Sequence, residues 1–140
     1  MVSTALPGNG HGRRRVAPGA LEGIVAQSDP RIQKMLAMAK DAARHAYAPY
    51  SGFHVGAAVL TEDGEMFAGC NVENASYSLT MCAERNAIFG AVAAGHAKIG
   101  AVVIYAASGE PAPPCGACRQ VMSELAPRAR VYSFSDSGDT

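Results

Sequence analysis

The chain has 140 residues, enough for one domain around a single core. Hydrophobic residues make up 49% and charged residues 17%, there is no Trp, and 12 basic residues balance 12 acidic ones. Zero net charge argues against a nucleic-acid or membrane-surface protein, with Arg13-Arg14-Arg15 as a local exception, and no apolar run reaches the length of a membrane span.

Residues 1–29 are rich in Gly, Ala, Arg and Pro and carry only Glu22 and Asp29 as acids. They lack the unbroken apolar core of a secretory signal and read as a flexible leader, with a transit peptide as the alternative. The expected location is therefore intracellular, in the cytoplasm. Asp29 then offers an N-cap and Pro30 a first helical residue. Ile32, Met35, Leu36, Met38 and Ala39 recur near helical spacing and Pro49 bars continuation, so the first helix is expected over 30–47. The stretch "FHVGAAVLTEDGEMFAGCNVEN" reads as two strands about an Asp63-Gly64 hairpin turn. Phe53, Val55, Ala57 and Val59 share one face of the first strand, and His54 takes the other as an exposed or edge histidine.

A second helix is expected over 82–94, ending near Gly95. Its Ala83, Ala87, Ile88, Ala91, Val92 and Ala94 encircle much of the surface, a pattern of burial on several sides. That pattern points to a homo-oligomer. "AVVIYAA", 101–107, is a continuous apolar run typical of a strand covered on both faces. "PAPPCGACRQVMSELAP" is a proline-rich loop feeding a third helix, stopped by Pro127, and "RVYSFSD" is a last strand. The order αββαβαβ implies an α/β fold with helices on both faces of a mixed central sheet.

The four cysteines are Cys70, Cys82, Cys115 and Cys118. Without an export signal, metal binding or catalysis outranks a disulfide framework. Cys115 and Cys118, three apart at a helix start, can aim both sulfurs at one point. Alone, this CxxC is compatible with a redox pair, half a zinc site or chance. It comes too late in the chain for a thioredoxin-like motif and lacks the second CxxC of a zinc ribbon. What exists is Cys82, at the start of another helix. Three thiolates without a fourth protein ligand are the composition of a catalytic Zn²⁺ site that keeps one position for water.

Glu84, two residues after Cys82, is a candidate proton carrier for water whose pKa zinc lowers from 15.7 toward about 7. Its plainer role is a first-turn acid that complements the helix dipole. Three thiolates on Zn²⁺ leave a charge of −1, which the two helix N-termini and Arg85 can offset; otherwise Arg85 is a surface residue. Cys70 reads as a small buried apolar residue.

"CAER" with "PCGACRQ", preceded by "YSGFHVGAAV" and "GCNVENASY", resembles the homotetrameric, zinc-dependent class of cytidine deaminases from about Ala46 to Asp136. The resemblance implies the three-layer α/β/α cytidine deaminase-like fold and a free nucleoside as substrate. It assigns Cys82, Cys115 and Cys118 as zinc ligands and Glu84 as the proton shuttle, which also contacts the pyrimidine ring nitrogen. Asn71 and Glu73, alternate residues on one face of a strand, match the pair that binds the ribose hydroxyl. Phe53 matches the aromatic that packs on the base, and Ala83 the residue whose N–H meets the base carbonyl. Ala75 and Tyr77 match residues that reach a neighbouring subunit's site, so the resemblance implies a homotetramer with shared active sites. Without the motif, Asn71 would read as a turn residue and Phe53 as core filling.

Members of the class continue after the fourth strand with another strand, a helix and an LLP-x-x-F ending, whereas this sequence stops at "FSDSGDT". Residues 30–140 are accordingly expected to form the zinc domain without that segment, and pocket closure and oligomer contacts are the properties it bears on. The expected reaction is hydrolytic deamination of cytidine or deoxycytidine in pyrimidine salvage. Two rivals stand beside it: deamination of a cytosine-nucleoside antibiotic of the blasticidin kind, and a non-catalytic, zinc-stabilised nucleoside-binding protein. Asn71 with Glu73 favours a plain ribose over the first, and an intact Glu84 argues against the second.

Overall fold

The structure is a computed structural model that describes residues 27–139. The expected leader, with Arg13-Arg14-Arg15, lies outside the described residues up to position 26. Helix α1 spans Pro30–Ala43, with the Asp29 carboxylate accepting from the Arg31 N–H and Pro30 at its first turn. It ends four residues earlier than expected. Tyr47 is drawn out to pair with the chain at 71–73: its N–H donates to the Asn71 carbonyl at 3.0 Å, and its own carbonyl accepts from the Glu73 N–H at 2.7 Å. Those two bonds require extended backbone, so the helix must release the chain before them.

Strand β1 (Val55–Thr61) and strand β2 (Met66–Cys70) form the expected antiparallel hairpin, and Gly64, at φ 95°, supplies the left-handed turn residue. Helix α2 (Ala83–Ala93), strand β3 (Ile99–Ala106), helix α3 (Gly116–Leu125) and strand β4 (Arg130–Ser135) follow in order. A two-residue strand β5, Gly138–Asp139, adds an edge beyond the expected pattern. The sheet order is β2-β1-β3-β4-β5, with β3 and β4 parallel and the other neighbours antiparallel. The α/β class with a mixed sheet is as expected.

The two faces bury two separate cores. Ile32, Met35, Ala39 and Ala43 of α1 pack with Ala58, Leu60, Ala101, Val103, Tyr105, Tyr132 and Phe134 on one face. Ala83, Ala87, Ile88 and Ala91 of α2, with Cys118 and Met122 of α3, pack with Val55, Ala57, Val59, Val102 and Ile104 on the other. Every residue of β1 is therefore buried, whichever way it points. Burying its Val59 or Leu60 side chain stabilises by about 1.5–3 kcal/mol. His54, expected as an exposed or edge histidine, is half-buried, with Nδ1 3.3 Å from the Ala43 carbonyl at the end of α1. No helix among the described residues is long and apolar enough to cross a membrane.

Two glycines set the helix-to-sheet distance. A Cβ on Gly56 would stand 1.8 Å from the Ala39 carbonyl oxygen of α1, and one on Gly69 would stand 2.5 Å from the Ala87 nitrogen of α2. Neither has a positive φ, so glycine is required there for space and not for backbone conformation.

Candidate metal centre and nucleoside site

The N-termini of α2 and α3 converge, and the three cysteines sit on them. Cys82 is the N-cap of α2, Cys115 the N-cap of α3, and Cys118 lies in the first turn of α3. The Cys118 N–H donates to the Cys115 sulfur at 3.4 Å, which fixes the turn that aims both thiols the same way. The three sulfurs lie within 4.8 Å of one another, with Cys82–Cys115 at 3.6 Å and Cys115–Cys118 at 3.4 Å. Sulfurs on a tetrahedral zinc at about 2.3 Å stand about 3.8 Å apart. The donor set thus fits Zn²⁺ with one position open. Cys70, half-buried at the end of β2, is not part of the cluster.

Arg85 reaches back over the first turn of α2 and donates from Nη2 to the Cys82 sulfur at 3.4 Å. Without metal, hydrogen bonds from Cys118, then Arg85 and Cys115, hold the Cys82 thiol down at about 5 against its partial burial. Cys118 moves the opposite way, because it hydrogen-bonds the Cys82 thiolate and is itself buried. The Arg85 guanidinium is raised by the same bond to Cys82. A thiolate-rich centre with a guanidinium against it is what a cation needs to be held without excess negative charge.

Glu84 is 5% exposed, and burial is the first cause that raises its carboxyl above the usual carboxylate range. The neighbouring Cys82 charge raises it further, while a hydrogen bond with Cys118 and the Arg85 charge oppose. A buried carboxyl poised to exchange a proton beside a metal-ligating set can act as a general acid–base. Ala83 is fully buried at the first position of α2, where backbone N–H groups lack helical partners.

Beyond β2 the structure corrects one expectation: Asn71 and Glu73 do not lie on a strand. The ladder stops at Cys70, and only Val72 continues it, through isolated bridges to Tyr47 and Met81. Both side chains still hold the segment that carries Phe53. The Asn71 Oδ1 accepts from the Val55 N–H at 2.9 Å, and its Nδ2 donates to the Phe53 carbonyl at 2.7 Å. Glu73 accepts from the N–H groups of Tyr50 and Ser51 at 3.0 and 3.1 Å and from the Ser51 hydroxyl at 2.6 Å. The hydroxyl of Ser51 lowers the Glu73 carboxyl below its ordinary range.

Phe53, just ahead of β1, is partly exposed and lines a cleft of about 400 Å³ with the loop Ser108–Ala112, which runs into Cys115. That volume suits a small ligand. Ala75 is exposed, and Tyr77, in a short 3-10 turn over Tyr77–Leu79, is 85% exposed. Neither reaches the thiol cluster through any described contact. Ser51, Asn86 and the Ser108–Ala112 loop carry no motif of their own in the sequence; the one signal there is the Ser51 hydroxyl two residues before Phe53.

Two helix N-termini that bring three thiols together beside a buried acid fit the zinc-dependent hydrolytic proteins, whose metal keeps one position for water. The cytidine and deoxycytidylate deaminase zinc-binding region matches residues 29–134. A cytidine deaminase from Halalkalibacterium halodurans is 49% identical over 76% of this chain and 82% of its own length. One from Sporosarcina psychrophila is 50% identical over 77% of this chain and 80% of its own. The crystal structure of cytidine deaminase from Burkholderia pseudomallei is 49% identical, with a TM-score of 0.72, over 76% of this chain and 87% of that one. The chain belongs to the cytidine and deoxycytidylate deaminase family.

Proposed function

We propose that the protein hydrolyses the exocyclic amine of cytidine and deoxycytidine, giving the uridine nucleosides and ammonia. The observation that carries this is the buried Glu84 carboxyl two residues from Cys82, in a cluster whose three sulfurs leave a fourth metal position free. Zinc held by Cys82, Cys115 and Cys118 supplies, when bound, a Lewis acid that brings the pKa of water toward about 7. Glu84 accepts one proton of the attacking water on its carboxylate and passes it to the ring nitrogen as the oxygen adds to the amine-bearing carbon; it then takes the proton of that added hydroxyl and delivers it to the amine, which leaves as ammonia as the carbonyl forms. The burial that raises its pKa lets one carboxyl serve as base and then as acid. Arg85 offsets the thiolate charge, which would otherwise weaken the metal as a Lewis acid.

Phe53 supplies an apolar face for the pyrimidine, and the Ala83 N–H meets the base carbonyl. Asn71 and Glu73 receive the ribose hydroxyl with the lone pairs and amide proton that their bonds to 50–55 leave free. The exposure of Tyr77 and Ala75 fits residues that complete a neighbouring site, so the working assembly is a homotetramer formed by residues 30–140. The pathway is pyrimidine salvage in the cytoplasm. The test is direct: zinc-loaded protein with cytidine, deoxycytidine and a cytosine-nucleoside antibiotic, followed by ultraviolet absorbance. Turnover of the two nucleosides supports the reading; turnover of the antibiotic alone, or of none, overturns it.

A further inference from the structure

The metal helix and the nucleoside-binding segment are joined by a side chain that the reaction itself does not use. Asn86, in the first turn of α2, donates from Nδ2 to the Cys70 carbonyl at 2.8 Å. Cys70 is the last residue of β2, and the chain continues directly into Asn71 and Glu73. The approach that permits this bond is independently enforced at Gly69, where a Cβ would meet the Ala83 carbonyl at 2.8 Å and the Ala87 nitrogen at 2.5 Å. The first turn of α2 is thus pressed against the end of β2.

The linkage runs on. The Asn71 N–H bonds the Val55 carbonyl at 3.2 Å while its side chain bonds the Val55 N–H and the Phe53 carbonyl. Glu73 holds Tyr50 and Ser51, and the Ser51 hydroxyl accepts from the Phe53 N–H at 3.0 Å. From this continuity we infer that Asn86 is a positioning residue: it sets the distance between the helix bearing Cys82 and Glu84 and the Asn71–Glu73 segment, and so the fit of the ribose beneath the reacting base.

The bond has this leverage because β2 is an edge strand whose ladder ends at Cys70. Beyond that point the backbone leaves the ladder and is held by the Asn71 N–H bond to Val55, the isolated bridges of Val72 to Tyr47 and Met81, and side-chain bonds such as these. Without the Asn86 amide the Cys70 carbonyl loses a partner, and the segment can shift relative to α2. A misplacement of about 1 Å at a substrate-positioning group can cost up to about a hundredfold in rate. The Asn86 amide bonds the Cys70 carbonyl and none of the described hydrogen bonds of the sulfurs involves it, so metal binding should be left intact.

The inference rests on the nucleoside reading above, and the test separates the two. Asn86→Ala is made in the full-length, zinc-loaded protein; alanine favours the helix, so α2 itself is retained. Zinc content, thermal midpoint and steady-state kinetics are compared with cytidine and with 2′,3′-dideoxycytidine, which lacks the sugar hydroxyls. The expected result is one zinc per chain, with kcat/KM on cytidine reduced about tenfold, mainly through KM. On the dideoxynucleoside the loss should be under about threefold, because coupled contacts do not add. Amide exchange of residues 50–55 should accelerate in the metal-free variant.

Equal losses on both substrates, or an unchanged KM with only a lower thermal midpoint, overturn the positioning role. If Asn86→Ala does not fold, Asn86→Asp, which keeps the shape without the donor, replaces it. Failure of both to fold assigns the bond to folding and overturns the proposal. Wild-type protein inactive on cytidine defeats the function reading instead.

Discussion

Glu84 and Arg85 are adjacent in the chain, yet burial drives one toward neutrality while a thiolate holds the other firmly charged. The roles proposed for them separate by mutation. Glu84→Ala removes no sulfur, so zinc should remain near one per chain while kcat falls by at least about 10²–10⁴-fold, the usual weight of general acid–base catalysis. Metal analysis beside the activity assay checks this, and parallel loss of zinc and activity would put Glu84 among the ligands. Arg85→Ala should keep the fold and lower the rate about tenfold, with the lower limb of the pH–rate profile moved to higher pH because uncompensated thiolates raise the pKa of the attacking water. An unchanged profile would leave Arg85 without a part in the chemistry. For Glu73 the sign is that of a depressed acid. Its folded pKa lies below the ordinary 4.5, so its support of the Tyr50–Ser51 backbone is present above 4.5 and lost as pH falls through the folded value. Amide chemical shifts of Tyr50 and Ser51 followed through an acid titration should report that loss, and Glu73→Gln should abolish the transition.

Among the elements, α1 and α2 are set by glycines on opposite faces of one hairpin, which makes the two faces separately testable. Gly56→Ala places a methyl 1.8 Å from the Ala39 carbonyl oxygen, and that atom is backbone, so the whole of α1 must lift. A loss of about 1–3 kcal/mol or more, the range for overpacked cores, is expected in denaturant unfolding. The site lies on the other face, so activity in the surviving folded protein should change little. Gly69→Ala pushes on α2 and with it Cys82, Glu84 and Arg85. Comparable destabilisation should there come with weakened zinc retention against a chelator and a lower kcat. If the two variants had indistinguishable effects on zinc retention, the separation of the faces would not hold.

At the scale of the molecule, α2 buries only one side among the described residues. Ala83, Ala87, Ile88 and Ala91 are buried, whereas Phe89 and Val92 are 42% and 40% exposed and Gly90 has open space above it. These exposed apolar side chains, like Tyr77 and Leu79 in the 3-10 turn, are the kind of surface that self-association covers. Light scattering on a sizing column should therefore give a mass above that of one chain, expected to be four. Phe89→Glu should move the population toward smaller species and make specific activity fall on dilution. A monomer of constant specific activity would defeat the shared-site proposal and leave the zinc centre untouched.

What the sequence determined by itself is local or carried by rare residue types. Asp29-Pro30, Asp63-Gly64 and the apolar run at 101–107 mark a helix start, a turn and a covered strand through near-neighbour sterics and burial. Cys82, Cys115 and Cys118 are legible because three thiols at two helix starts have few other uses, and Glu84 because it stands beside them, a first-turn acid being common on its own. The tertiary structure decided what depends on partners distant in the chain. Helix α1 stops at Ala43 because Tyr47 pairs with residues beyond β2, an exchange of backbone hydrogen bonds across more than twenty positions. His54 is covered by the end of α1, and Asn71 and Glu73 are held off a strand by the 50–55 segment. The Asn86–Cys70 bond, too, exists only because Gly69 lets a helix rest on the edge of the sheet. Periodicity records which face of an element is buried, but not which neighbour buries it or where a hydrogen-bond partner will be waiting.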